Sequence, residues 1–220
     1  MRRDELVRII DHTLVHPAAT QRQVTRVCEE ALEHGFGCVI VNPVHLSLAA
    51  EVLKGSPIRL GTTAGFPSGA NLSEIKAREA AAAVKAGAVE IDMVGSIGAL
   101  KEGSYLDFRK DVAEVVRAVG QGVVVKVIIE CPYLTDEEKA TAAKLVEAAG
   151  AHFVKTGTGF AGGAVPSDVE ILARNVGKAM GVKAAGGIRS YRQAVELIAA
   201  GATRLGSSTS LQILAEAPSV

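Results

Sequence analysis

The chain has 220 residues, of which 48% are hydrophobic and 22% charged, and this length and apolar content suit one globular α/β domain. Aromatic residues make up only 4%, so the core must consist mainly of Ala, Val, Ile and Leu, as in buried parallel strands. Lys plus Arg and Asp plus Glu number 24 each, and this balance argues against nucleic acid or an anionic membrane as a partner.

The N-terminus and the cysteines indicate where the protein resides. The first residues, Met-Arg-Arg-Asp-Glu-Leu, carry charges where a signal peptide needs an apolar core, and no apolar run reaches the ~18 residues of a membrane span. The three cysteines, Cys28, Cys38 and Cys131, have neither the number of a disulfide framework nor the spacing of a zinc site. We therefore expect a cytoplasmic protein with reduced thiols.

Along the chain, short runs rich in β-branched residues alternate with longer alanine-rich stretches of helical character. The short runs predict eight strands, at residues 10–14, 38–42, 58–64, 89–94, 123–129, 152–156, 182–185 and 203–206. The longer stretches predict helices at residues 3–9, 20–34, 43–54, 71–87, 104–119, 135–149, 166–179, 190–200 and 208–216. A helix therefore precedes the first strand, and another follows each strand.

Capping signals mark several of these helix boundaries. A Ser, Thr or Asn three residues before Glu or Gln can cap a helix N-terminus, and this spacing occurs at Thr20/Gln23, Asn71/Glu74, Thr135/Glu138 and Ser190/Gln193. Glycine tolerates the left-handed conformation that often ends a helix, and we expect this role at Gly35, Gly55, Gly87, Gly150, Gly181 and Gly201. Three of these glycines lie in a repeated Ala-Gly-Ala phrase just before a strand, as a recurring helix-to-strand joint would.

Eight strand–helix units of roughly 25 residues each predict a (β/α)8 TIM barrel, preceded by a short N-terminal helix. An open, doubly wound sheet would show the same alternation of strands and helices. Eight complete units favour closure of the sheet, and no G-x-G-x-x-G motif follows the first strand. No linker or low-complexity segment divides the chain, so we expect residues 1–220 to form a single domain.

Charged residues interrupt several of the predicted strands, although a charge between Val, Ile and Phe is costly unless it is paired or functional. They are Asp11, Asp92, Lys126, Lys155 and Lys183, with Glu130 at the end of the fifth strand. Desolvation and like charges can lower the pKa of one lysine, whose neutral amine could then attack a carbonyl and form an imine. Alternatively, the lysines pair with the acidic residues in a buried ionic layer. The pattern itself leaves open which lysine would react.

Glycine-rich loops follow the last two strands, the position where TIM barrels often bind phosphate. The first loop is Ala185-Gly186-Gly187-Ile188-Arg189 and the second is Gly206-Ser207-Ser208-Thr209-Ser210. Their N–H groups and hydroxyls can donate to an anion, so a phosphorylated ligand is predicted. The sequence contains no H-x-H or H-E-x-x-H motif, so no metal is expected, and His12 is interpreted as a structural partner of Asp11.

Five segments of the chain resemble signatures of the deoxyribose-phosphate aldolase family. They are Asp11-His12-Thr13-Leu14, Glu90-Ile91-Asp92-Met93-Val94, Lys126-Val127-Ile128-Ile129-Glu130, Phe153-Val154-Lys155-Thr156-Gly157-Thr158-Gly159-Phe160 and Lys183-Ala184-Ala185-Gly186-Gly187-Ile188-Arg189. The resemblance spans nearly the whole chain and implies a class I aldolase with a barrel fold and neither metal nor cofactor. Such an enzyme cleaves 2-deoxy-D-ribose 5-phosphate reversibly to D-glyceraldehyde 3-phosphate and acetaldehyde through a lysine Schiff base.

Position by position, the resemblance makes Lys155 the imine-forming nucleophile and Asp92 and Lys183 the proton carriers, with Lys183 also depressing the pKa of Lys155. It places four residues around the phosphate, namely Gly159, Gly186, Gly187 and Ser208. The chain departs from the family pattern at Gly157 and Thr209, where Ser is common, and both changes could adjust substrate contacts. The implied small-molecule partners are a phosphorylated sugar and acetaldehyde. The protein is expected to form a homo-oligomer, either a dimer or a tetramer.

Two other functions remain compatible with the glycine-rich loops. A sugar-phosphate isomerase or epimerase would bind phosphate in the same loops without forming a covalent imine. A non-catalytic barrel that binds a phosphorylated metabolite would show no turnover with any aldehyde. Borohydride added with an aldehyde distinguishes the three functions, because only the aldolase becomes irreversibly alkylated on a lysine.

Overall fold

The computed structural model describes residues 1–218, and within them eight parallel strands form a closed barrel in chain order. The strands are β1 (Ile10–Leu14), β2 (Cys38–Val41), β3 (Arg59–Ala64), β4 (Glu90–Val94), β5 (Val124–Ile128), β6 (Phe153–Lys155), β7 (Gly181–Ala185) and β8 (Arg204–Ser207). Strand β1 pairs with β8 as well as with β2, so the sheet closes on itself. This closure confirms the predicted TIM barrel and excludes the open, doubly wound sheet.

Helices surround the barrel, one before β1 and at least one after every strand. They are α1 (Arg3–Ile9), α2 (Gln21–His34), α3 (Leu46–Val52), α4 (Ser73–Lys85), α5 (Ile97–Lys101), α6 (Tyr105–Val119), α7 (Asp136–Ala148), α8 (Pro166–Arg174), α9 (Tyr191–Ala199) and α10 (Ser210–Glu216). Short 3-10 turns at Pro43–His45 and Cys131–Tyr133 begin two of the loops. In the part of the chain that the structure describes, no helix combines the length and apolar character that crossing a membrane requires.

Three helical segments differ from the prediction. The helix predicted after β2 begins only at Leu46, because Pro43 starts a 3-10 turn in front of it. The helix predicted after β6 ends at Arg174 rather than at residue 179, where the side-chain amide of Asn175 donates to the carbonyl of Ile171 at 2.8 Å. Helix α5 was not predicted, since its five residues are too few to show a helical period.

Three of the four predicted N-terminal caps are confirmed. The side chains of Thr20, Thr135 and Ser190 accept the N–H three residues further on, at the starts of α2, α7 and α9. The prediction for Asn71 is wrong, because α4 has Leu72 at its N-cap and no side chain caps it. A cap position depends on where the preceding loop enters the helix, which the local spacing does not determine.

The glycines predicted at helix ends serve two different purposes. Five of them have positive φ, as a left-handed helix end requires, namely Gly35, Gly55, Gly87, Gly150 and Gly201. The prediction for Gly181 is wrong, because this residue begins β7 and its φ is not positive. A Cβ at this position would lie 2.2 Å from the ring of Phe153 on β6, so packing against the aromatic ring requires the glycine.

Alternate side chains of each strand point to opposite faces of the sheet, and the two faces differ in chemistry. The outward side chains are mostly apolar, for example Ile91, Val127 and Val154, and they pack against the surrounding helices in one hydrophobic core. Charged side chains occupy the inward positions of six strands. The outer face therefore supplies most of the hydrophobic stabilisation, while the inner face carries the polar groups.

Candidate active site

Seven charged side chains enter the barrel and contact one another there, and we call them the interior cluster. They are Asp11, Glu90, Asp92, Lys126, Lys155, Lys183 and Arg204, each at most 7% exposed. The register of neighbouring strands brings them together, since Asp92 lies beside Lys126 and Lys183 lies beside both Lys155 and Arg204.

Asp92 contacts all three lysines of the interior cluster. Its Oδ2 accepts from the Nζ of Lys155 at 2.7 Å and from the Nζ of Lys183 at 2.6 Å, and its Oδ1 accepts from Lys126 at 2.9 Å. Because Lys155 and Lys183 share one oxygen atom, their amines lie well within the distance at which charges interact in a protein. The three residues to which the resemblance assigns the chemistry thus lie in direct contact.

The remaining members of the interior cluster surround the side chain of Asp11. The Nζ of Lys126 lies 2.9 Å from Asp11 Oδ2 and 2.5 Å from Glu90 Oε2, and Lys183 also donates to Asp11. The guanidinium of Arg204 donates to Asp11 Oδ1 at 2.9 Å. Lys126 therefore contacts three carboxylates, counting Asp92 above it, and has no contact with the solvent.

Glu90 and Arg204 belong to the interior cluster but were not predicted. Glu90 lies two residues before Asp92, so the two-residue period of a strand already indicated that both face the same side of β4. Arg204 is a charge inside a predicted strand, the same signal that singled out the lysines. The predicted alternative included Glu130 in the ionic layer, and this was wrong, because its carboxylate accepts the N–H of Thr158 instead.

The environment shifts the pKa values of the lysines in opposite directions. Burial lowers the pKa of Lys155 to about 8, a shift that the carboxylate of Asp92 opposes and the charge of Lys183 reinforces. Lys126 is also buried, but Asp11 and Asp92 outweigh its desolvation and hold its pKa well above the usual value. Lys126 is therefore charged at neutral pH, whereas part of the Lys155 amine is neutral.

The pKa of Asp92 is low because three cations surround it. Burial alone would raise this pKa, but the charges of Lys126, Lys155 and Lys183 together hold it well below its usual range. The charges of Lys126 and Lys183 likewise outweigh burial at Asp11 and hold its pKa well below the ordinary value. Both carboxylates are therefore anions throughout the physiological range, and their charge stabilises the neighbouring ammonium groups.

The formal charges of the interior cluster balance when one of its cations loses a proton. Its three carboxylates face three lysines and one arginine, and an uncompensated charge in a buried site is costly. Arg59 also contacts Glu90, at 2.8 Å, but its side chain is 43% exposed and partly solvated. Deprotonation of a lysine restores the balance, and the lowered pKa of Lys155 makes it the lysine that loses its proton most readily among those with a resolved shift.

A cavity of about 250 Å³ lies at the C-terminal ends of the strands. Lys155 is the member of the interior cluster that lines this cavity, whereas Asp92 and Lys183 lie behind it and form no part of the wall. Four further predicted site residues also line the cavity, namely Gly159, Gly186, Gly187 and Ser208. The cavity therefore connects an amine of lowered pKa to the glycine-rich loops.

The loops after β7 and β8 offer backbone donors to the cavity. Gly186 and Gly187 have φ values of +106° and +67°, and a Cβ on Gly186 would lie 2.8 Å from the carbonyl oxygen of Gly162, so this turn requires glycine. Among the described residues, the N–H groups of Gly187 and Ser208 donate to no backbone carbonyl. They can therefore donate to an anion that enters the cavity.

His12 does not pair with Asp11 as predicted. Its Nε2 lies 2.9 Å from Glu30 Oε2 on α2, and its ring stacks on Phe36 with 4.7 Å between the ring centroids. Successive residues of a strand face opposite sides of the sheet, so Asp11 points into the barrel and His12 points toward the helices. The histidine therefore links β1 to α2 and has no access to the cavity.

One group of side chains in the barrel has the composition of a metal site. Potential ligand atoms of Asp11, Cys38 and Glu90 all lie within 4.8 Å of one another. Lys126 contacts both carboxylates, and burial together with Asp11 and Glu90 holds the pKa of the Cys38 thiol well above its usual value. The carboxylates are thus already neutralised and the thiol is protonated, so we assign no metal to this group.

Comparison with known proteins identifies relatives over almost the whole chain. A model of the DeoC/LacD family aldolases matches residues 6–215. A protein of Aciduliprofundum boonei named deoxyribose-phosphate aldolase is 51% identical over 212 residues, which are 96% of each chain. A protein of the same name from Caldanaerobacter subterraneus subsp. tengcongensis is 50% identical over 214 residues, which are 96% of this chain and 93% of that one.

A solved structure extends the similarity to three dimensions. It is described as the unique tetrameric structure of deoxyribose phosphate aldolase from Aeropyrum pernix, and it superposes with a TM-score of 0.90 at 34% identity. The superposition covers 97% of this chain and 91% of the other. The two proteins therefore share the barrel over almost their whole length.

Proposed function

The chain belongs to the DeoC/LacD family of aldolases, and from this membership and the geometry of the cavity we propose its reaction and the residues that perform it. The enzyme cleaves 2-deoxy-D-ribose 5-phosphate reversibly to D-glyceraldehyde 3-phosphate and acetaldehyde, with Lys155 forming a Schiff base. The names of its relatives support the substrate. The position of Lys155, whose amine alone among the buried lysines of the barrel lines the cavity, carries the assignment of the nucleophile.

Lys155 suits nucleophilic attack by its protonation state as well as by its position. An amine reacts with an aldehyde only when it is neutral, and burial lowers the pKa of Lys155 to about 8. Lys126 is fully buried among three carboxylates that keep it charged, so it cannot reach or attack a substrate. Lys183 is 1% exposed and donates to Asp11 and Asp92, which suits a proton carrier behind the nucleophile.

The chemical steps follow from this arrangement. The neutral Lys155 amine adds to the C1 aldehyde of the open-chain sugar, and loss of water with uptake of one proton, delivered by Lys183 and returned to it on hydrolysis, gives the protonated imine. Asp92 takes the C3 hydroxyl proton through a bound water, the electron pair of the C2–C3 bond moves into the imine, and glyceraldehyde 3-phosphate leaves. The same proton returns to C2 of the resulting enamine, and hydrolysis releases acetaldehyde and the free amine. Proton transfer of this kind typically contributes about 10²–10⁴-fold to the rate.

The phosphate of the substrate occupies the glycine-rich end of the cavity. The free N–H groups of Gly187 and Ser208 support this assignment. Gly159 and Gly186 support it too, because their positive φ angles favour glycine and no side chain covers their backbone. Glycine backbone and a serine hydroxyl can surround a phosphate without an intervening side chain. The phosphate thereby fixes the distance between the sugar and Lys155.

The protein acts in the cytoplasm as a homo-oligomer, with the phosphorylated sugar and acetaldehyde as its small-molecule partners. The tetrameric state of the similar Aeropyrum pernix enzyme supports assembly into a dimer or a tetramer. Charge balance argues against nucleic acid as a further partner. Light scattering coupled to size-exclusion chromatography measures the assembly directly, and a monomer at micromolar concentration contradicts it.

Borohydride trapping tests the nucleophile. Acetaldehyde and borohydride together are expected to inactivate the enzyme and to attach an ethyl group to Lys155, which peptide mapping by mass spectrometry locates. Lys155→Ala should abolish both turnover and labelling, whereas the exposed-lysine control Lys54→Ala should behave as the wild type. Label on Lys126 or Lys183 contradicts the assignment but leaves the aldolase class intact.

The same experiment separates the proposed function from its alternatives. A sugar-phosphate isomerase or epimerase would convert its substrate without any borohydride-dependent alkylation. A binding protein would bind the phosphorylated sugar without releasing acetaldehyde. Release of acetaldehyde, measured by its enzymatic reduction, together with lysine labelling is therefore expected only of the aldolase.

A further inference from the structure

Glu130, directly after β5, has an unusual backbone conformation. Its φ and ψ are 54° and 65°, and it is the one residue other than glycine with positive φ among residues 1–218. Glutamate lacks the short side chain that makes asparagine or aspartate tolerable in this region, so the conformation is strained. Such strain persists only where surrounding contacts require it. The side chain of Glu130 is buried and accepts hydrogen bonds from the loop after β6.

The carboxylate of Glu130 holds the loop that follows the proposed nucleophile. The N–H of Thr158 donates to both of its oxygens, at 3.0 Å to Oε1 and 3.3 Å to Oε2. On either side of Glu130, the backbone also pairs across to β6 and its loop, with Ile129 N–H donating to the carbonyl of Lys155 and Cys131 N–H to that of Thr156. The strained backbone of Glu130 thus directs its carboxylate toward Thr158, three residues after Lys155.

Gly157 leaves the space that this contact needs. A Cβ on Gly157 would lie 2.7 Å from Glu130 Oε1, closer than such atoms approach in proteins. The φ of Gly157 is not positive, so the backbone itself does not require glycine there. The missing side chain of Gly157 therefore makes room for the carboxylate of Glu130. It is not required by the backbone conformation.

The loop that Glu130 holds forms part of the cavity wall, although Glu130 does not. Thr158, Gly159 and Phe160 line the cavity together with Lys155, whereas Glu130 lines a separate neighbouring cavity behind Thr158. Within the loop, the hydroxyl of Thr158 accepts the N–H of Phe160 at 3.0 Å, so a shift of Thr158 would move the loop as a unit.

We propose that Glu130 is a positioning residue that holds the loop of Thr158, Gly159 and Phe160 against the bound sugar phosphate. The inference rests on the proposed function, because it assumes that this cavity binds the substrate. A small donor such as acetaldehyde needs only Lys155, whereas the phosphorylated sugar fills the cavity up to Gly159. Loss of the contact therefore affects the sugar and leaves imine formation with acetaldehyde unchanged.

Glu130→Gly tests the proposal without adding strain, because glycine tolerates positive φ. We expect KM for 2-deoxy-D-ribose 5-phosphate to rise about tenfold, the effect of losing one hydrogen bond to a charged group. Labelling of Lys155 by acetaldehyde and borohydride should stay within about twofold of the wild type, and the melting temperature should not fall. Glu130→Gln keeps an acceptor oxygen of the same reach and should recover most of the affinity for the sugar.

Gly157→Ala perturbs the same contact from the other side and provides a second test. Its new methyl group should displace the carboxylate of Glu130 and raise KM, and it should have no further effect in the Glu130→Gly background. Additive effects of the two substitutions contradict the proposal, as does an unchanged KM in Glu130→Gly.

Two further outcomes would overturn the inference in different ways. If Glu130→Gln folds but has a KM for the sugar phosphate as high as that of Glu130→Gly, the charge of Glu130, and not its hydrogen bond, determines the binding. Parallel loss of sugar turnover and acetaldehyde labelling would mean that Glu130 acts on Lys155 itself. If the wild type neither turns over the sugar phosphate nor becomes labelled, the proposed function fails instead, so the two failures are distinguishable.

Discussion

Lys155, the proposed nucleophile, must lose its proton before it can attack an aldehyde, and its burial is the largest influence on how easily it does so. With a pKa of about 8, about one tenth of the amine is neutral at pH 7, against roughly 0.03% for an unperturbed lysine. We expect the initial rate of acetaldehyde-dependent labelling to rise about tenfold between pH 7 and pH 9 and then to level off. A rate that continues to rise up to pH 10.5, measured by mass spectrometry of the reduced adduct, would contradict the lowered pKa.

The charge of Lys183 contributes only part of this shift, because burial is the larger cause. In Lys183→Ala the pKa of Lys155 should therefore rise only part of the way toward its ordinary value. Labelling at pH 7 should become slower but remain detectable, because a smaller fraction of the Lys155 amine is neutral. A higher pH should partly restore the labelling, because it increases this fraction. The exposed-lysine variant Lys54→Ala is the control, and identical pH profiles for all three proteins would refute the electrostatic role of Lys183.

A negative charge in the glycine-rich loops should discriminate between substrates. Ser208→Asp is expected to raise KM for 2-deoxy-D-ribose 5-phosphate by about 10²-fold or more, through repulsion of the phosphate. The KM for unphosphorylated 2-deoxy-D-ribose should change far less. Ser68→Asp introduces the same charge in the neighbouring cavity that Glu130 lines, and it should affect both sugars little. Equal effects of Ser208→Asp on both sugars would place the phosphate elsewhere.

At the scale of single elements, strand β7 depends on a residue without a side chain. Gly181→Ala puts a methyl group where the ring of Phe153 lies and should destabilise the protein by about 1–3 kcal/mol through overpacking. Phe153→Leu removes the ring and should reduce the cost of the alanine, so the two substitutions are expected to be non-additive. Urea denaturation followed by circular dichroism measures each free energy of unfolding.

Helix α5 provides the matched control for this substitution. Gly98 lies in this helix with ordinary φ, and a Cβ added to it would meet no atom within 4 Å, so alanine fits there without strain. Gly98→Ala should stabilise the protein by about 0.5–1 kcal/mol, because alanine loses less backbone entropy in a helix. If both glycine substitutions lowered the free energy of unfolding, the effect at Gly181 would not be specific to its contact with the Phe153 ring.

The elements were largely predictable because their signals are local. Short runs of apolar and β-branched residues marked all eight strands, and the capping pairs at Thr20, Thr135 and Ser190 correctly marked three helix starts. Helix α5 was not predicted, because its five residues make fewer than two helical turns and include a glycine. The misassigned Gly181 has the same local sequence features as a helix end, and only its contact with Phe153 on another strand reveals its purpose.

At the scale of the whole molecule, most members of the interior cluster were predictable, but their contacts were not. Charges inside apolar strands identified five of the seven members of the interior cluster. The partners could not be assigned, because the contacts join residues as far apart as Asp11 and Arg204, which are 193 positions apart, and depend on strand register. The same limit applies to Glu130, whose partner Thr158 lies 28 residues away on another loop.

The buried amine of Lys155 has a consequence for the stability of the fold. Below pH 8 the folded and unfolded chains both protonate Lys155, and the folded state bears the full desolvation cost. Above pH 8 the unfolded chain, whose lysine keeps its ordinary pKa of 10.5, binds a proton that the folded chain does not, so stability rises with pH. From about pH 9 the buried thiols reverse this trend, since burial raises the pKa of Cys28 to about 11 and those of Cys38 and Cys131 further.

The enzyme is therefore less stable at neutral pH than a barrel of the same shape without this amine. Lys155→Met keeps the length of the side chain, and Asp92 retains Lys126 and Lys183 as partners. We expect this inactive variant to be more stable than the wild type at pH 7, by up to about 3 kcal/mol, and to lack the rise between pH 8 and pH 9. Equal denaturation midpoints for the two proteins across this range would show that the amine carries no such cost. Where the cost exists, selection for thermal resistance alone would favour replacement of the residue that we propose as the nucleophile.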